Sequence, residues 1–280
     1  MLLASFTPGT ALTRPKRALN VRGGGGARAL NVRGGGGASH LSDVALFGGA
    51  GLLLIDGALE YMYPEKALTA SKAGRIPYIG RGKDSDGLVA CRHDGVWRVV
   101  LAALLLADPD TVHARAHFFN AAAALAQAPG VETFGVTKTP LLAWVGVSAL
   151  LGLGATAGLV PNWVAPAIYV ANGLMYYVDP DALVRLYFPD WRVPKSRVGF
   201  WATRNNGATF LVATVYLAAL TPLAPGDGRG ALDAFGAAMV ALALSMLRFA
   251  LADPKALGFS NVSRVGVVAF PAALAVAALV

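Results

Sequence analysis

The nonapeptide GLVACRHDG at Gly87–Gly95 returns 112 positions later as GFWATRNNG at Gly199–Gly207. Aligned without a gap, the two share Gly87/Gly199, Ala90/Ala202, Arg92/Arg204 and Gly95/Gly207, and Asp94 answers to Asn206. Each copy stands just before an apolar run. A second pair of anchors lies upstream in the same order. Asp56-Gly57, Tyr61 and Pro64-Glu65 match Asn172-Gly173, Tyr177 and Pro180-Asp181 at identical spacing. Two ordered anchors predict an internal duplication, residues 44–160 and 164–280, since self-similarity at a long fixed period is the mark of a repeated structural unit.

Composition names the solvent for those units. Of 280 residues, 55% are hydrophobic and 14% charged, and mean hydropathy is +0.54, values of a membrane protein rather than of a water-soluble core. The run LLAWVGVSALLGLGATAGLV, Leu141–Val160, carries no charge and is long enough to cross a hydrocarbon core of about 30 Å. Apolar runs and their breakers give eight candidate spans: 44–62, 92–107, 112–128, 139–160, 164–178, 206–223, 231–252 and 265–280. The expected fold is therefore all-α, a polytopic membrane protein with about eight transmembrane helices as two four-helix repeats. Four crossings return the chain to its starting side, so the repeats lie parallel, related by an axis along the membrane normal.

Charge supplies an orientation. Sixteen lysines and arginines, among them Lys66, Lys83, Lys138, Lys195 and Arg248, fall with the loops after helices one, three, five and seven, against only Arg115 and Arg229 on the other face. Positive charge is retained on the side of insertion, which places the rich face in the cytosol, stroma or matrix. The loop 181–204 interleaves Tyr187, Phe188, Trp191, Phe200 and Trp201 with arginines, a composition suited to headgroup level, where anionic lipid or a partner subunit would be met. The net charge of +8 is thus assigned to lipid headgroups, and nucleic acid is not expected as a partner.

Residues 1–43 read as a basic leader. No acid precedes Asp43, while Arg14, Lys16, Arg17, Arg22, Arg28 and Arg33 are all basic, and RALNVRGGGGA occurs at Arg17–Ala27 and again at Arg28–Ala38. Four consecutive glycines, twice, bury too little surface to offset backbone entropy, so disorder is expected there. Such a segment resembles an organelle-targeting peptide, which points to a plastid or mitochondrial membrane.

The repeat motif itself reads as a corner. Pro64 and Pro180 stop the first and fifth helices, because proline lacks an amide donor and restricts the residue before it. Gly57 and Gly173, with Gly154-x-x-x-Gly158, permit close helix contact, and Gly95 and Gly207 belong to the repeated motif. Tyr61 and Tyr177 complete the pattern, and Arg92 and Arg204 are placed at the entry of the following helix.

Intramembrane acids are the leads to function, because charge is costly there and tends to mark a pathway or a pair. Asp56 and Glu60 are four apart and share one helix face. One reading pairs them with Arg98 or Arg92 of the next helix. The other makes Asp56, with Glu60, a proton- or cation-responsive site supported by Asn172 and Tyr176, their counterparts in the second copy. Arg98 aligns with Phe210, which suits a pair confined to the first copy. His113 and His117, with Asp110 and Asp108 nearby, have the spacing of two imidazoles on one metal. The alternative has Asp110 or Thr111 cap the third helix, with both histidines in an interfacial turn. Asn120, Gln127 and Ser245 are read as interhelical hydrogen-bond partners.

Other chemistry fails on context. The lone Cys91 excludes a disulfide framework. There is no P-loop lysine motif, no G-x-S-x-G elbow and no Cys-His nucleophile arrangement. The functional expectation is a non-enzymatic membrane component that binds lipid or partner subunits, including further copies of itself, with no cofactor assigned. A small-solute or proton transporter using Asp56 is the alternative, and a metal- or haem-binding membrane enzyme at the histidines is a third.

Overall fold

A computed structural model describes residues 38–66, 86–131, 137–180, 197–221, 230–252 and 261–279. Among the described residues the long elements are all helices, with no strand: α1 (Ala38–Met62), α2 (Asp86–Leu105), α3 (Val112–Val131), α4 (Thr139–Thr156), α5 (Val164–Val178), α6 (Arg197–Leu220), α7 (Ala231–Ala252) and α8 (Asn261–Leu279). The fold is all-α. Each of the eight apolar runs lies largely within one helix. The clearest shifts are at the starts of α1, α2 and α6, which begin six to nine residues early.

Those early starts correct two expectations. Residues 38–43 belong to α1 rather than to the leader, the remainder of which, 1–37, lies outside the described residues. Arg92 and Arg204 stand well inside α2 and α6 instead of at a helix entry. Hydropathy undercounts these helices because charged or polar residues such as Asp43, Asp86 and Arg197 interrupt their first turns, whereas the helices run through them.

Helices α2 and α6 pack against each other at the centre, α1 against α2 and α5 against α6, and the pairs α3–α4 and α7–α8 complete the bundle. Helix α3 also meets α2, α7 meets α6, and α8 closes onto α1. The core between α2, α5 and α6 is aromatic. Trp97 and Phe210 lie 4.0 Å apart between ring centroids, and Tyr169 meets Phe210 edge-on at 5.5 Å. The buried Tyr169 hydroxyl donates to the Ala116 carbonyl at 3.0 Å, fastening α5 to α3.

Two crossings depend on missing side chains. A Cβ on Gly57 would lie 2.6 Å from the Gly95 carbonyl oxygen, and one on Gly95 would lie 2.5 Å from that of Gly57. At the α5–α6 crossing, a Cβ on Gly207 would lie 2.5 Å from the Tyr177 nitrogen and 2.9 Å from the Gly173 carbonyl oxygen. Nothing but hydrogen fits between those backbones. The tyrosines that follow reach onward: Tyr61 donates to the Ala126 carbonyl of α3 at 3.2 Å, and Tyr177 to the Ser245 carbonyl of α7 at 3.5 Å.

The glycine pair of the fourth span behaves differently from expectation. Helix α4 ends at Thr156, and Gly158 carries the left-handed φ of +72° that turns the chain, with the Leu159 and Val160 amides donating back to the Gly154 carbonyl. Neither Gly154 nor Gly158 meets another helix through its missing Cβ. Gly152 does, against the Phe118 ring of α3 at 2.9 Å.

Gly95→Ala or Gly207→Ala should lower stability by about 1–3 kcal/mol, the cost of forcing extra volume into a closed contact. Gly48→Ala, where a Cβ meets nothing within 4 Å, should be neutral or stabilising. Thermal unfolding of the purified variants checks both signs.

Candidate functional site

Three carboxylates and one guanidinium meet where α1 crosses α2. On α1, Asp56 and Glu60 are one turn apart and flank Gly57, so the backbone contact at that glycine brings both acids against α2. Arg98 of α2 answers them. Its Nη1 donates to Asp56 Oδ2, and its Nε lies 3.5 Å from Glu60 Oε2. The third acid is Asp94, one turn before Arg98 on the same helix, which accepts from Arg98 Nη2 at 2.9 Å. Asn205 of α6 donates its amide to the same Asp94 Oδ2. Glu60 and Asp94 are fully buried, while the Asp56 side chain keeps 36% of its exposure and marks the outer edge.

The arrangement is a closed contact. Arg98 turns its planar fork toward acids on two helices, the geometry in which guanidinium is better suited than ammonium. A carboxylate withdrawn from water is tolerated when it is paired and hydrogen-bonded. Asp94 takes an arginine from its own helix and an amide from α6, so the network ties α1, α2 and α6 together.

Asn172 and Tyr176 do not join it. Packing runs α1–α2–α6–α5, which puts the central pair between those residues and Asp56. Asn172 donates to the Ile168 carbonyl of its own helix at 2.9 Å, and the Tyr176 ring stacks on Phe210 at 5.6 Å. Both line a separate cavity of about 50 Å³, together with His93 and Trp97 of α2, Gln127 of α3 and Trp144 of α4. His93 Nε2 and Gln127 Nε2 are buried there with no hydrogen-bond partner among the described residues.

The histidine pair is also relocated. His113 and His117 lie inside α3 and are buried, rather than in an interfacial turn. His113 Nε2 is 3.0 Å from the Leu217 carbonyl and 2.8 Å from Thr221 Oγ1, a link from α3 to the end of α6. Asp110 is exposed. The turn before α3 is held by Asp108, whose carboxylate accepts from the Asp110 amide at 3.1 Å and whose carbonyl accepts from the Thr111 amide and hydroxyl. Among the described residues, no group of three or more histidines, cysteines, aspartates and glutamates could hold a metal ion. Of the expected interhelical amides, Asn120 donates to Ser148 Oγ of α4 at 3.1 Å. Ser245 Oγ instead bonds back to Leu242 within α7, because a short hydroxyl reaches its own helix carbonyls first.

Sequence reasoning named Asp56, Glu60 and Arg98 but passed over Asp94 and Asn205. The Asp94–Arg98 spacing of four was a legible signal. Asn205 had none, since it depends on the register of α2 against α6. No family model matches the chain, and neither does a curated protein or a solved structure.

Arg98→Met should cost about 3–5 kcal/mol, because it strands buried carboxylates. Asp56→Asn, at the exposed edge, should cost about 1 kcal/mol or less. Equal losses for the two variants in chemical denaturation would show that the acids do not depend on the guanidinium.

Proposed function

We propose that the chain is a polytopic membrane protein that serves as a non-enzymatic, lipid- or subunit-binding component of an organelle membrane. The observation that carries this is an inverted distribution of side chains. Leu52, Ile55, Leu142, Leu150, Leu244 and Phe270 stand exposed on α1, α4, α7 and α8, whereas Glu60, Asp94, Asn120, Gln127 and Asn205 are buried. A chain in water would lose free energy at about 25 cal/mol for each Å² of that apolar exterior. In hydrocarbon the same surface costs nothing, and the polar groups belong inside.

By length and composition, residues 41–62 and 139–156 suffice to cross a membrane, and Val164–Val178, Ala231–Leu247 and Val265–Leu279 are shorter apolar helices. Helices α2, α3 and α6 fall outside that description through residues they bury: Asp94, His113, His117, Asn120, Asn205 and Asn206. A central helix shielded by its neighbours has no need to be apolar all round. The eight-span reading therefore assigns the polar helices to the interior and the apolar ones to the lipid boundary.

The reading as two parallel four-helix copies draws support from matching contacts. The crossings Gly57/Gly95 and Gly173/Gly207 hold aligned positions, and Tyr61 and Tyr177 each reach the third helix of their own copy. The closed contact at Arg98 favours a structural role for Asp56 over a transport one. The leader and the basic loops, on which organellar address and sidedness rest, include residues outside those described.

Alkaline carbonate washing of membranes from expressing cells should leave the chain in the pellet, and recovery of folded protein in detergent-free buffer would refute the membrane assignment. Single cysteines placed at Lys83 and Lys195 in a Cys91→Ala background should react with an impermeant maleimide from the same side of sealed vesicles. Labelling from opposite sides would remove the parallel arrangement.

A further inference from the structure

The two copies place different chemistry at equivalent positions. With α1 aligned on α5 and α2 on α6, Asp56, Glu60, Asp94 and Arg98 correspond to Asn172, Tyr176, Asn206 and Phe210. The first set makes the ion network. Of the second, Asn172, Tyr176 and Phe210 line the cavity. The central pair crosses over in both cases. Asn205 leaves α6 to reach Asp94, and its aligned residue on α2, His93, is at the cavity. Where the α1–α2 crossing holds the ion network, the equivalent residues of α5 and α6 line a cavity shared with α2, α3 and α4.

The cavity's chemistry selects an occupant. No aspartate, glutamate, lysine or arginine lines it, so a phosphate or ammonium head would be desolvated without a counter-charge. His93 Nε2 is buried with no hydrogen-bond partner among the described residues, and in the neutral tautomer protonated on Nδ1 it is an acceptor. Gln127 Nε2 is a donor without a partner, on a side chain that is 6% exposed. One hydroxyl satisfies both, giving its hydrogen to His93 and taking one from Gln127.

Size and exit complete the description. A volume of about 50 Å³ holds a hydroxyl and the first carbons of a chain but not an aromatic ring, which needs a cavity of about 150 Å³. Trp97, Trp144, Tyr176 and Phe210 supply apolar walls. Pro140, Leu141 and Trp144 form the α4 side of the cavity, and the same helix exposes Leu142, Val147 and Leu150 to the exterior. A tail leaving beside α4 would stay in an apolar environment.

We propose that this cavity is a binding site for the hydroxyl head of a neutral long-chain lipid, with His93 and Gln127 as its hydrogen-bonding partners. The proposal rests on the membrane and duplication readings above and names the ligand class that the first implies.

Trp97 and Trp144 provide the readout. The full chain in phosphatidylcholine vesicles is titrated with a long-chain alcohol brominated near its hydroxyl, and tryptophan fluorescence is followed. Quenching should saturate, and Trp144→Phe should lower its amplitude. The matched methyl ether, which cannot donate, should bind about tenfold more weakly, as should the alcohol on Gln127→Leu, in line with loss of one desolvated hydrogen bond. The ether comparison needs no variant, so a folding defect cannot imitate it. Quenching that rises linearly and equally for alcohol and ether overturns the site, leaving water as the cavity's occupant. Flotation of the same vesicles separates the two failures: a chain that floats but shows that result keeps the membrane reading and loses the lipid site. A chain that does not float loses both.

Discussion

A polar group inside a bundle coated with leucine has no water to fall back on, and the interior is organised by that constraint. Buried donors and acceptors must be met by other helices. Arg98 draws α1 and α2 together, Asn205 adds α6, and Asn120 with Ser148 joins α3 to α4. Tyr169 links α5 to α3, and His113 links α3 to α6. Each bond is modest by itself, since folding exchanges it for other hydrogen bonds of the unfolded chain. Collectively they penalise every register in which a polar atom is stranded. The Arg98 network is therefore better regarded as a specifier of how α1, α2 and α6 align than as a large source of net stability.

That network is possible only because the backbones come so close. Asp56 precedes Gly57 and Asp94 precedes Gly95, so the residues that allow contact sit beside those that exploit it. A Cβ on Gly57 would also stand 3.0 Å from the Arg98 Cβ. A wider crossing would move the α1 acids away from the guanidinium, and the desolvation cost of Glu60 would then be met by less. Packing and electrostatics here are one design, in which the small residue sets the distance and the charges set the register.

The sequence shows helices more readily than it shows neighbours. Eight apolar runs coincide with α1 to α8 because burial demands apolar residues, and that demand is local. The early starts of α2 and α6 were missed since Asp86, Arg197, Arg204 and Asn205 look like loop residues to a hydropathy scale. Asp56, Glu60 and Arg98 were legible from spacing and from the cost of buried charge. The placement of Asn172 and Tyr176 was not, because it turns on which helices stand between α1 and α5. Gly158 was misread for a related reason: a G-x-x-x-G spacing fits packing on a helix, but at a helix end the same glycine supplies a left-handed turn. Pattern alone does not distinguish the two.

The aligned crossings differ as sets rather than residue by residue. Replacing Arg98 by the phenylalanine found at Phe210, with the acids kept, would leave Glu60 and Asp94 without their guanidinium in a low-dielectric interior. Replacing only the acids would strand the arginine. A crossing of this kind is stable either with the full complement of charge or with none, and intermediate compositions are penalised from both sides. The α5–α6 crossing is of the second kind, with Asn172, Tyr176 and Phe210 in place of Asp56, Glu60 and Arg98. Once the charges are gone, no guanidinium ties the helices by ion pairs there, and Asn172, Tyr176 and Phe210 line a cavity instead. A neutral cavity is the physical counterpart of that exchange, which is why the crossing that holds the helices and the crossing that is free to hold something else stand on opposite sides of the same central pair.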